Sequence, residues 1–138
     1  MTEIITPDDM SIEKIYGIFQ AAYMKPELDS DGDVRVKGPS GIRQIISVET
    51  EKQLLKFMSI FGLKENRNRE EKLELVNRLN ENVVFSRFSM PQDDVLLADY
   101  FIAYEEGVMP LQIMNSLQWF DKVTIGAIRA YDESDLVE

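Results

Sequence analysis

The chain of 138 residues contains no cysteine and no histidine. Without cysteine there is neither a disulfide nor a thiolate metal site, and nothing in the sequence calls for an oxidising compartment. Lacking both residues, it also lacks the commonest general base, the best transition-metal ligands and the most nucleophilic side chain. Carboxylates, hydroxyls and lysines are what remain for catalysis, so the expectation is a protein that is not an enzyme and holds no cofactor or metal. Long apolar runs are missing too, none approaching the roughly 20 residues of a membrane helix. The opening MTEIITPDDMSIEK has neither the basic start nor the apolar stretch of a secretory signal, and a cytoplasmic protein is expected. Positive charge is scarce: 15 basic against 25 acidic residues leave a net charge of −10. Such a chain repels nucleic-acid phosphates and anionic lipid, so its charged partners are expected to be basic.

What is present suits a globular fold. Of the residues, 44% are hydrophobic and 29% charged, well above the apolar poverty of disordered chains. No repeat, low-complexity segment or linker divides the chain, so one domain over 1–138 is expected, with 131–138 as an acidic, mobile tail. In TPDDMSIEKIYGIFQAAYM, Thr6 can cap, Pro7 suits the first helical position and Asp8 and Asp9 suit the dipole. Ile12, Ile15 and Phe19 follow at helical spacing, which predicts a first helix over 8–23, stopped before Pro26. The period then falls to two. DSDGD (29–33) contains the hairpin signal Asp31-Gly32, GPSG (38–41) turns the chain again, and TEK (50–52) leads into QLLKFMSIFGL. Residues 53–63 suit either a strand or a helix through Leu54, Leu55, Met58 and Phe61; the strand reading matches the hairpin rhythm.

The stretch LVNRLNENVVFSRF changes period in its middle. A second helix, capped by Asn66 or Asn68, is expected to end at Asn80 to Asn82, where asparagine tolerates a left-handed backbone. VVFSRFSM and VLLADYFIAY then read as a strand pair around the turn PQDD. A third helix from Met109-Pro110 towards Tyr131 carries Ile113, Met114, Leu117, Phe120, Val123, Ala127 and Ile128 at helical spacing. This is an α+β pattern of three helices and about five antiparallel strands in the order α-β-β-β-α-β-β-α.

Few residues suggest chemistry. DSDGD lacks the glycine and glutamate positions of a calcium loop, and GPSG lacks the lysine of a phosphate loop. Asp93-Asp94 and Glu105-Glu106 read as solvated turns rather than an acid–base pair, since nothing around them predicts burial. Lys64, Arg67, Arg69 and Lys72 are interleaved with glutamates and read as a solvated helix start. The third helix offers more. Core packing explains part of its stripe, but the surplus of Met114, Trp119, Val123 and Tyr131 predicts a dimer or partner surface.

The span from Leu75 to Phe120 resembles the YbjN family of bacterial proteins. Asn77 and Asn80 match the helix end, Arg87-Phe88 the strand, Asp93-Asp94 the turn and Gly107 the entry to the last helix. The family's final glycine is single here rather than doubled. The resemblance implies a fold like that of type III secretion chaperones, with helices mostly on one face of an antiparallel sheet. It also implies a small, acidic homodimer that holds a segment of another protein, in a family described as sensory transduction regulators. The expected function is therefore a cytoplasmic regulator or chaperone-like protein-binding module. The alternative is a small-molecule or metal-responsive sensor with a pocket between sheet and helices.

Overall fold

Period-two and helical stretches alternate along the chain, and most adopt the element their spacing favours. The computed structural model describes residues 3–138. After a 3-10 turn (Pro7–Asp9) come α1 (Ile12–Ala21), β1 (Glu27–Leu28), β2 (Val34–Lys37), β3 (Arg43–Glu49), β4 (Leu54–Gly62), α2 (Arg69–Asn82), β5 (Arg87–Gln92), β6 (Val95–Ala103) and α3 (Pro110–Tyr131). The strands form one antiparallel sheet in the order β1-β2-β3-β4-β6-β5. The hairpin that follows α2 joins through its second strand, so β6 lies beside β4 and β5 forms an edge.

The strands divide their side chains between two faces because successive residues point opposite ways. Ile46 lies opposite Phe57, which lies opposite Tyr100; Val48, Leu55 and Ile102 make the next such row. These residues face the helices and join one core with Ile15 and Phe19 of α1, Leu75 and Leu79 of α2, and Ile113, Leu117 and Phe120 of α3. Leu54, Met58, Ile60, Leu97 and Phe101, on the other face, neither belong to that core nor pack against it. The helices therefore cover one face and leave the other open.

Several expectations need correction. The sheet has six strands, because Glu27–Leu28 forms a short edge against β2. The carboxylate of Asp29 organises that hairpin, accepting the amides of Asp31 and Asp33 and the Nε of Arg35, each at 2.9 Å. The first helix does not run unbroken from residue 8. Met10 is extended and buried in the core, Ser11 accepts the Lys14 amide as the true cap, and Thr6 donates to Asp9 instead of capping. The strand reading of 53–63 is the one the structure takes, as β4, with Leu55, Phe57 and Ser59 buried at alternate positions. Residues 83–86 are not strand; β5 begins at Arg87.

The end of α2 differs in mechanism. Asn68 is its cap, accepting the Glu71 amide at 2.8 Å while its own amide donates to the Glu71 carboxylate. At the other end none of the asparagines is left-handed, and the chain leaves through extended Val83. Asn80 instead reaches β5: its Nδ2 donates to the Phe88 carbonyl and its Oδ1 accepts the Phe88 amide, both at 2.9 Å. The acidic tail, expected to move, is docked. Asp132 accepts the amides of Leu136 and Val137, Leu136 is buried, Val137 bridges to Leu63, and Asp135 pairs with Lys64 at 2.7 Å. Leu136 is the apolar anchor, its full burial being favourable by roughly 2 kcal/mol, and half-buried Val137 adds to it.

Candidate protein-binding surface

Gly107 turns the chain from β6 towards α3 with φ +90°, and its amide donates to the Tyr104 carbonyl at 2.9 Å. A Cβ there would strike Ile4. Pro110 then opens α3, whose buried face carries Ile113, Leu117, Phe120, Thr124 and Ala127. Trp119 and Val123 stand on the flank turned towards residues 82–85. Between that segment and the helix lies a hollow of about 450 Å³, lined by Val84, Phe85, Trp119, Val123, Ala130 and Tyr131 among others. Gly126, Ala127 and Ala130, with small or absent side chains, leave space on its helix side. None of the lining residues carries a formal charge at neutral pH.

Trp119, 54% exposed, is a ridge between this hollow and a second of about 340 Å³ bounded by Phe85, Tyr100, Met109 and Leu111. An aromatic series fixes the ridge to the sheet. The rings of Phe57 and Tyr100 lie 6.1 Å apart, Tyr100 and Phe85 stack at 4.1 Å, and Phe85 meets Trp119 at 6.4 Å. Lys122 lies 5.3 Å above the indole, a cation–π contact that keeps a charge at the rim. The structure thus brings Trp119, Val123 and Tyr131 onto one hollow. Met114 is not among them: two and a half turns separate it from Val123, which puts it on the opposite flank, packed against the core. Sequence reasoning missed Phe85 and Val84, whose strand-like pattern concealed an irregular segment.

The residues matched to the family pattern have structural contacts. Asn80 ties α2 to β5, whereas the Asn77 amide reaches only Glu81 at 3.3 Å on the surface. Phe88 is buried in the core. Arg87 grips Asp99 with two bonds of 2.8 Å, which hold its guanidinium still more firmly protonated, and lies 5.4 Å over the Phe101 ring. Asp93 pairs with Arg69 and its carbonyl accepts from buried Lys72, so this turn is clamped to α2.

Other polar groups hold the layers together. Asp121, on the core side of α3, accepts the amide and hydroxyl of Ser40 at 3.0 and 2.7 Å, and a Cβ at Gly38 would collide with its carboxylate. The GPSG turn is therefore a cradle for an aspartate rather than for a phosphate. Gln44 donates to the Leu117 carbonyl at 2.9 Å, and Ser86 meets Thr124 at 2.8 Å, both buried. Their signal in the sequence is positional: Asp121 and Thr124, like Ser116, occupy core-facing positions of a mainly apolar helical stripe. Leu55, Phe57, Ile113 and Phe120, all fully buried, fill the centre of the layer between sheet and helices.

This α+β unit, a helix-covered antiparallel sheet, shares its fold with type III secretion chaperones. The family model YbjN, "Putative bacterial sensory transduction regulator", matches residues 11–133, and the chain belongs to that family. It is similar to the crystal structure of YbjN from E. coli, with a TM-score of 0.73 at 11% identity, covering 94% of this chain and 96% of that one. A protein from Methanothermobacter thermautotrophicus gives 0.63 at 13% identity, covering 91% and 99%. A chain of the Yersinia pestis type III secretion chaperone SycH in complex with a stable fragment of YscM2 gives 0.56 at 14% identity, covering 86% and 97%. At these identities the likeness is one of fold. Curated proteins give no sequence match.

Proposed function

We propose that this protein is a non-enzymatic, cytoplasmic regulator that works as a chaperone-like binding module, one domain over 1–138 that holds an apolar segment of a partner protein beside α3. The observation that carries this reading is the Trp119 ridge. In a chain of net charge −10 it stands between two hollows, and no lining residue of the larger one is charged. Aromatic anchors in such hollows supply much of the energy of protein recognition. The chaperone fold supports the reading, since SycH, which shares it, is itself described in complex with a protein fragment. Helix docking fits better than strand addition. At the β5 edge the Phe88 amide and carbonyl are occupied by Asn80, and Pro91 has no amide to offer.

The reading includes a homodimer in which α3 takes part. Its test uses the full chain purified from its own cells under mild salt, with the mass of the complex recorded. A stoichiometric partner lost on Trp119→Ala or Val123→Asp, in variants that stay folded, supports the assignment. Trp119 is the only tryptophan, so adding the isolated partner should shift its fluorescence. Unchanged mass, partner content and fluorescence in both variants would refute this surface.

A further inference from the structure

The open face of the sheet differs from the rest of this acidic chain. On that face Lys37 lies opposite Arg43 across β2 and β3, and Ile60 lies opposite Leu97 across β4 and β6. Because Ile45 pairs with Met58, the register places Arg43 beside Ile60, so Lys37, Arg43, Ile60 and Leu97 make one row. The row is cationic at one end and apolar at the other. Lys37, Arg43 and Ile60 are exposed, Ile60 to 52%. Neither Lys37 nor Arg43 has an ion-pair partner among the described residues, whereas Arg35 and Arg87 on the same face are held by Asp29 and Asp99. At the cationic end, Lys25, Glu27, Arg35, Lys37 and Arg43 help line a cleft of about 260 Å³. Four of these five are cations in a chain with 25 acidic and 15 basic residues.

We propose that this face docks a short, acidic, amphipathic helix of a partner protein, distinct from the occupant of the α3 groove. Its carboxylates lie over Lys37 and Arg43 and in the cleft, and its apolar side chains lie over Ile60 and Leu97. A helix suits the site because it crosses strands with its own peptide groups already paired, whereas an extended segment across the strands would bury them unpaired. Three strand spacings of about 4.8 Å separate Lys37 from Leu97, roughly the length of a ten-residue helix. Acidic residues in the first turn of that helix also oppose its dipole favourably. The overall charge points to basic partners; this patch selects locally for the opposite sign, because exposed charges act mainly within a Debye length of about 8 Å.

The test uses the full chain and a fluorescein-labelled synthetic peptide of about twelve residues, helical in length, with glutamates in its first turn and leucines along one face. Fluorescence anisotropy should show binding that weakens at least tenfold with Lys37→Glu plus Arg43→Glu, and as much with Ile60→Asp. Trp119→Ala should leave it unchanged, which separates this site from the groove beside α3. Raised salt should weaken it. All three substituted side chains are exposed, and thermal melts close to that of the unaltered chain confirm folding. The proposal is overturned if the peptide does not bind, or if a matched peptide with lysines in place of glutamates binds equally well. Loss of binding in Trp119→Ala also overturns it, as does a doubled mass that Ile60→Asp abolishes, which would mean that a second copy covers the face.

Discussion

Asn80 and Asn77 lie three residues apart near the end of α2, both exposed, yet only one is joined to another element. Replacing Asn80 with alanine removes both bonds to the Phe88 backbone. If the freed amide and carbonyl were sealed from water, each would cost the desolvation of an unpaired group, about 1–3 kcal/mol. Asn80 is exposed, however, so water reaches the β5 edge and the smaller net value of a hydrogen bond applies. Two bonds at roughly 0.5–1 kcal/mol each give a loss of about 1.5 kcal/mol. At this chain length a kilocalorie moves Tm by roughly 3–5 °C, so a fall of about 6 °C is expected. Asn77→Ala removes only a surface bond to Glu81 and should stay within about 0.5 kcal/mol of the unaltered protein. Urea denaturation measures both changes, and hydrogen exchange at the Phe88 amide should accelerate only in Asn80→Ala. Equal effects of the two substitutions, or an unchanged Phe88 amide, would refute the view that Asn80 acts as a clamp on the strand edge.

Two further outcomes follow from local geometry. Gly107→Ala combines a left-handed backbone with a collision at Ile4, and should destabilise by about 2 kcal/mol in the same denaturation assay, with Gly41→Ala as a control that is strained but has open space around it. Asp29 and Asp135 both have carboxyls held below the ordinary value of 3.8, Asp29 by the Asp33 amide and Arg35 and Asp135 by Lys64. A depressed folded pKa contributes stability that is present above the unfolded value and lost as pH falls through the folded one. The β1–β2 hairpin and the Lys64–Asp135 pair should therefore persist at pH 4 and loosen only below it. Amide spectra of Asp31, Asp33 and Leu136 followed down a pH series would show this, and loosening of the hairpin between pH 5 and 7 would contradict it.

The order of elements was legible in the residues, because hydrophobic period and turn chemistry are local. Asp31-Gly32, the GPSG turn, Pro110 at the start of α3 and the alternation in β4 each act within a few positions. The candidate surface was half legible. Trp119, Val123 and Tyr131 stood out as apolar surplus on one helix, but Met114 shares that spacing and lies on the other flank. Phe85 and Val84, which complete the groove, come from a segment that resembled a strand.

By itself the sequence determined the α+β class, the turns and the poverty of catalytic and metal-binding chemistry, since composition and short-range spacing are independent of the final packing. Tertiary structure decided everything that joins distant positions: Asn80 on Phe88, Asp121 in the turn of Ser40, Leu136 and Val137 against the end of β4. It also decided which side of each strand meets the helices. A one-residue shift in register would exchange the two faces, and only the assembled sheet sets Lys37 and Arg43 in line with Ile60 and Leu97 on the face that no helix covers.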